Sequence, residues 1–437
     1  MLQVIPKKIK KYIANTSWLL SEKGITVIVG FLVSIVVARF LGPENYGVLG
    51  YVISLTTLFS VAGHMGLSGL VIREIVRDPN GRGEVLGTTY LIKLAGMAIG
   101  VILILLYASI IETPGTQVFY MLLIAASAML IQPVNVIDFW FQSQVQAKYS
   151  AIARTVGLLV SSFYKLLLVF SGLGLVYFAL SGVVQAVVSA MVLLILYRHK
   201  ATVTVSQWRF NFARAITLLK QSWMVFAGAI FAVIYMKIDM VMLKLIAGAE
   251  SAGVYSVAAQ LSEAWYFVPT AIVASLFPKL IKLREQDEGI FYKRLQQLFD
   301  LLFMMAVAVA VVVTLLAPFV VDTLYGQAYS ESSNVLAIHI WAGVFIFMRA
   351  AFSKWILIEN ALVFSLITQG CGALMNVFLN YLLIPYYGAT GAAIATLVSY
   401  GAASYFALLF NKRTRPIFWM MTKSFLFPAR YIYSLRT

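Results

Sequence analysis

The chain has 437 residues, of which 61% are hydrophobic and only 11% charged, and its mean hydropathy is +0.89. A water-soluble domain needs far more polar surface to cover its core, so that class is excluded. A net charge of +16 would suggest a nucleic-acid partner in a soluble protein, but here the charge is sorted to one side of a membrane.

Apolar runs of about 20 residues, the length that crosses a hydrocarbon layer as a helix, recur along the whole chain. They predict spans at roughly 15–40, 46–68, 86–111, 117–140, 151–171, 174–197, 219–246, 254–276, 298–321, 334–357, 362–384 and 391–410. Unbroken runs such as Ile99–Ile111 and Met304–Leu316 lack the alternation of a barrel strand, so the fold class is an all-α polytopic membrane protein. The first span opens basic, like a signal peptide. Glu22 and Lys23 interrupt it and no convincing cleavage site follows, so an uncleaved helix is expected. Connections near 41–45, 112–116, 172–173, 247–253, 322–333 and 385–390 contain no Lys or Arg. The opposite connections and the tail hold most of the 33 basic residues, among them Arg73, Arg77, Lys148, Arg154, Arg214, Lys279 and Arg413. Basic connections stay in the cytoplasm, which predicts cytoplasmic termini and no nucleic-acid partner.

An internal repeat organises these spans. GPENYGVLGYVIS (42–54) and GAESAGVYSVAAQ (248–260) lie at an offset of 206 residues, matching Gly42, Glu44, Gly47 and Val48 to Gly248, Glu250, Gly253 and Val254. Both segments fall on an outer turn after the first helix of a six-helix block, where Gly suits the turn and Glu the following helix start. The expected domains are a first bundle over 1–200, a parallel second bundle over 201–410 and a basic cytoplasmic tail over 411–437. Gly50, Ser54 and Thr57 share one helix face, and Ser256, Gln260 and Glu263 occupy the equivalent face in the second block. Small-residue helix packing accounts for the first stripe as readily as a cavity lining does.

Charges inside the spans carry the functional expectation, because a buried ion must snorkel, pair or face water. Lys23, Arg39, Lys165, Lys237, Lys244 and Arg349 lie there, and snorkelling to the outer surface explains Arg39 and Lys244. Lys23, Arg39, Lys165, Lys237 and Arg349 are the candidate cations for an anionic cargo. Glu22, Asp239 and Glu263 are the candidates for proton or ion coupling. The competing reading is an interhelical ion pair, for instance Lys237 with Glu263 or Asp138. Lys237 and Asp239 point to opposite faces of one helix, and Asp138 and Asp300 fall near the cytoplasmic ends of theirs. Pro133, Pro269 and Pro318 predict bends. Gly96 and Gly100 form a GxxxG, a weak sign of helix contact. The lone Cys371 permits no intrachain disulfide, and His64, His199 and His339 have no metal-ligand spacing. No P-loop, GxSxG elbow or acidic loop cluster is present, so neither an enzyme nor a cofactor or metal site is expected.

ARFLGPENYGVLGYV (38–52), KIDMVML (237–243) and AGVYSVAAQLSEAWYFVPTAIVASLFPKL (252–280) resemble the bacterial polysaccharide transporters, the O-antigen and exopolysaccharide flippases. These share a superfamily with multidrug exporters and lipid II flippases. The resemblance implies two six-helix bundles of the multidrug-exporter type, working by alternating access. It implies that the cargo is a polyprenyl-pyrophosphate-linked oligosaccharide, moved from the cytoplasmic to the outer leaflet of the plasma (inner) membrane. Further implied partners are membrane lipid, a polysaccharide polymerase and a chain-length regulator. No catalytic residue is implied. The alternatives are an ion-coupled multidrug exporter of the same fold and, behind it, a polysaccharide polymerase, which would need an arginine-bearing outer loop.

Overall fold

The computed structural model describes residues 7–359 and 361–427. Every regular element among them is helical, as a chain in hydrocarbon requires when each segment must satisfy its own backbone. Ten helical stretches are long and apolar enough to cross a membrane. The protein is an all-α polytopic membrane protein. In chain order the helices are α1 (Lys7–His64), α2 (Ser68–Arg77), α3 (Arg82–Ile111), α4 (Gln117–Met129), α5 (Val136–Ser143), α6 (Ala147–Phe170), α7 (Leu175–Lys200) and α8 (Phe212–Ile246). There follow α9 (Gly248–Glu263), α10 (Phe267–Gln286), α11 (Glu288–Leu324), α12 (Ser332–His339), α13 (Ala342–Ile358), α14 (Leu362–Ser404) and α15 (Arg415–Phe425).

Two of these helices are broken at a glycine. Gly42 in α1 has φ 72°, ψ 171° and Gly388 in α14 has φ 50°, ψ −130°, both within connections expected from sequence. Gly248 repeats Gly42 in the second half at φ 91°. A Cβ at any of the three would strain the backbone, which is why both copies of the repeat carry glycine at that turn.

The described residues fall into two compact units, one of residues up to 41 with 48–233, the other of 42–47 with residues from 234 on. The division lies inside α8, past the boundary at 200 that the sequence suggests. The reason is that the start of α8 buries Ala215 and Leu218 in the first unit's core.

In the first unit the part of α1 after the turn packs antiparallel to α3. A Cβ on Gly96 would strike the Ala62 carbonyl oxygen, and one on Gly100 would strike that of Phe59. The GxxxG is therefore a real helix contact. α6 and α7 also close on small residues, with Ser161 Oγ donating to the Ser181 carbonyl at 2.9 Å. Trp140, Phe141, Tyr197 and Val85 form an apolar core. Against it α2, which the sequence reading did not separate, lays Val71 and Ile75. Pro133 sits in a 3-10 turn that separates α4 from α5.

In the second unit the two copies of the repeat motif meet. A Cβ on Gly47 would overlap the Ala249 carbonyl oxygen, and one on Gly253 would overlap that of Pro43. The matched glycines thus pack reciprocally, and Tyr46 Oη donates to Gln260 Oε1 at 2.9 Å beside them. The core gathers Phe291, Phe299, Phe347, Phe352, Trp355, Tyr405 and Phe418. α15 docks on it through Ile417, Phe418, Met420 and Met421, so the expected basic tail begins with a packed amphipathic helix. Arg430 and Arg436 of that tail lie outside the described residues. Pro269 stands in the first turn of α10, just past the break after α9. Pro318, by contrast, lies inside a continuous α11.

Candidate functional site

Polar groups brought into the apolar interior of each unit are the candidate site. In the first unit, Arg154 on α6 holds Glu22 of α1 at 3.3 Å and Asp138 of α5 at 2.9 Å. By sequence Arg154 belongs to a cytoplasmic connection; three helices bring it to Glu22 and Asp138. Lys93, buried on α3, lies over the Phe139 ring at 5.1 Å. Asp138 is buried as well, so its position near a helix end does not leave it in water. Two cations and two carboxylates thus balance within this cluster, as buried charge requires.

Lys165 of the same unit lies elsewhere, on the wall of a cavity of about 360 Å³ with Thr56, Thr57, Ser60, Gln132 and Gln185. Thr57 of the predicted stripe reaches this cavity, whereas Ser54 is buried in packing. Lys23 and Arg39 are both exposed on α1.

The second unit treats its buried carboxylate differently. Asp239 is 3% exposed and forms no ion pair among the described residues. Neutral donors surround it: Tyr255 Oη and Thr396 Oγ1 donate to Oδ2, each at 2.7 Å, and Asn380 Nδ2 donates to Oδ1 at 2.5 Å. Asn380 Nδ2 also reaches Asn376 Oδ1 at 3.1 Å. α8 supplies the acid, α9 the phenol, and the two arms of α14 the amides and the hydroxyl. A carboxylate held by three donors is stabilised without a counter-charge. The same oxygens, with Asn376 Oδ1, are the hard donors a proton or a hard cation prefers. Among the described residues no group of three or more His, Cys, Asp or Glu gathers as a metal site.

Lys237, two residues from Asp239, pairs with Glu263 of α9 at 3.7 Å. Helix α8 therefore carries its two charges into separate surroundings, a hydrogen-bonded core and an ion pair. Arg349 on α13 reaches Ser404 Oγ at 3.4 Å and pairs with no carboxylate among the described residues. It lies within electrostatic reach of Tyr235 and Tyr400, whose rings meet at 4.1 Å. Sequence reasoning missed Asn376, Asn380, Thr396 and Tyr255. The available signal was the pair Asn376 and Asn380, one turn apart on an otherwise apolar helix.

Residues 12–284 match the family described as polysaccharide biosynthesis protein, more than half of the chain. The chain belongs to that family. Among curated relatives of this family member is the probable flippase AglR of Haloferax volcanii, 22% identical over 401 residues, or 87% of this chain and 79% of AglR. The fold resembles that of a multidrug resistance MATE family transporter of the MOP superfamily, a structure solved in an inward-facing conformation. That match has TM-score 0.73, 15% identity and coverage of 91% of this chain and 96% of the other. The lipid II flippase MurJ in an inward closed conformation matches with TM-score 0.72 and 14% identity, over 93% of this chain and 91% of its own. The expected membership of the polysaccharide-transporter group, and a fold shared with exporters and flippases, are both borne out.

Proposed function

We propose that this protein is a flippase, not an enzyme, that moves a polyprenyl-pyrophosphate-linked oligosaccharide from the cytoplasmic to the outer leaflet of the plasma membrane by alternating access. Membership of a polysaccharide biosynthesis family and the flippase relative support the class of cargo. The observation that carries the coupling is Asp239, a buried carboxylate satisfied only by neutral donors. Such a group takes up and releases a proton or a hard cation more easily than one clamped to a guanidinium. Glu22 and Glu263, each in an ion pair, are the weaker coupling candidates. Lys165 on its partly polar cavity and the unpaired Arg349 are the strongest of the cations for a diphosphate or acidic sugar; Lys23, Arg39 and Lys237 complete the set. Basic connections on one face set the orientation, with cytoplasmic termini. A polysaccharide polymerase and a chain-length regulator are the expected partners downstream.

Reconstitution in liposomes with a fluorescent lipid-linked oligosaccharide tests this reading. Wild-type protein should accelerate transfer between leaflets, and Lys165→Ala with Arg349→Ala should slow it at least tenfold without loss from the membrane. Full transport by a variant lacking Lys23, Lys165, Lys237 and Arg349 would remove the cationic-cargo idea. Export of cationic drugs in place of the oligosaccharide would favour the multidrug reading.

A further inference from the structure

The second unit carries an open-sided cavity of about 1080 Å³, at the upper end of the roughly 300–1,000 Å³ of small-molecule sites. Its lining is almost wholly apolar. Phe303 of α11 and Trp341 and Phe345 beside and within α13 close one side, while rows 364–375 and 397–410, the two arms of α14 and the turn after it, form the other. Row 364–375 is about 18 Å of helix at 1.5 Å per residue, somewhat over half of a hydrocarbon core of about 30 Å. Both rows lie at the ends of the arms remote from Gly388, the second running on into Lys412 and Arg413. On the orientation proposed above, that is the cytoplasmic leaflet, where an oligosaccharide made in the cytoplasm begins its transfer. Ile367, Val398, Phe406 and Phe410 on the rim are exposed, so the cavity opens sideways toward lipid.

Its charge environment selects an occupant. Arg349 stands one turn from Phe345 on α13, and its guanidinium reaches the hydroxyl of Ser404, the neighbour of the lining residue Ala403. No carboxylate answers it among the described residues. A cation without a counter-ion beside an apolar cavity complements a molecule whose anionic group adjoins a long hydrocarbon chain. We propose that this cavity binds the polyisoprenoid tail of the lipid-linked cargo, with Arg349 next to its diphosphate. The proposal rests on the flippase reading and adds the place where the tail is held.

The test is photolabelling of the full-length protein in phosphatidylcholine liposomes with a polyprenyl diphosphate carrying a diazirine on its tail, alongside transport of the fluorescent oligosaccharide. Adducts should map to 364–375 and 397–410. Unlabelled polyprenyl diphosphate should compete them away at least fivefold, while phosphatidylglycerol and inorganic diphosphate should not. Ala402→Phe and Ala407→Phe, which place rings in the cavity, should each remove these adducts and slow transport, and Arg349→Gln should raise the competing concentration about tenfold. Competition by phosphatidylglycerol as effective as by the polyprenyl compound would overturn the proposal in favour of a bulk-lipid site. Wild-type transport without adducts in these rows would overturn the tail site and leave the flippase reading standing. Competable adducts without any transport would do the reverse.

Discussion

The two units solve the same problem, a carboxylate in an apolar interior, by different means. In the first, Glu22 and Asp138 share the guanidinium of Arg154, at 3.3 and 2.9 Å. In the second, Asp239 has only a phenol, a hydroxyl and an amide, each within 2.7 Å. An ion pair fixes protonation because neutralising either partner strands the other. Hydrogen-bond donors from neutral groups leave the charge adjustable, since a proton or cation can replace part of their effect. The first arrangement holds its acids against an opposite charge and the second holds its acid with neutral donors, which is why coupling is proposed for Asp239 ahead of Glu22, although both began as acidic residues in or near predicted spans.

The sharpest test is Asp239→Asn. The neutral isostere should keep the protein folded in detergent, while transport loses its response to a proton or cation gradient. The expected loss is of the order of the 5–150-fold that coupling energies of about 1–3 kcal/mol produce. Glu22→Gln should leave that response intact, and equal loss in the two variants would erase the distinction. Stability should show the opposite order. Arg154→Ala leaves two carboxylates without their cation and should cost about 2–3 kcal/mol, less than a fully buried pair because the guanidinium is partly in solvent. Thermal unfolding measures this, and combining Arg154→Met with Glu22→Gln and Asp138→Asn should recover most of it.

A smaller effect is expected where the repeat motifs touch. Gly253→Ala places a methyl group against the Pro43 carbonyl and should cost about 1–2 kcal/mol by overpacking, whereas Gly69→Ala, with open space around it, should cost no more than a few tenths. Least is expected of the exposed tie at the base of the first unit. Asp78 accepts from the Gly81 amide at 2.9 Å and from Arg214 at 3.0 Å. The Gly81 amide first, and the Arg214 hydrogen bond second, hold its carboxyl below the usual range. A lowered folded value means the tie contributes fully above the unfolded value of about 4 and is lost as pH falls through the folded one. Hydrogen exchange in 78–84 should therefore quicken below about pH 4, by the equivalent of less than about 1 kcal/mol. Glu84, which also pairs with Arg214 at 2.7 Å, loses its charge in the same range, so unchanged protection would show that neither carboxylate contributes to the order of this segment.

Much of the architecture was legible because hydrocarbon leaves the chain few choices. Length and apolarity placed the long helices, and glycines at an offset of 206 located the turns at Gly42 and Gly248. The sequence narrowed the partner of Lys237 to Glu263 or Asp138, and packing selects Glu263. The short elements were less legible. α2 and α15 are amphipathic and basic, so to a hydropathy reading they look like connection and tail; their apolar faces acquire meaning only against the cores that hold Trp140 and Phe299.

Read along the chain alone, the residues specify an all-helical membrane protein with a repeated half, the turns of that repeat and the short list of charges that hydrocarbon would not tolerate unpartnered. Periodicity and transfer cost act residue by residue, so they can be read along the chain. Only the packing of the helices selects which of those charges meet an opposite charge and which meet neutral donors. Arg154 meets Glu22 across 132 positions, and Asn380 and Thr396 reach Asp239 across 141 and 157. Such partners are chosen by how helices pack, and helix packing is set by small residues and shape over distances that no local pattern records.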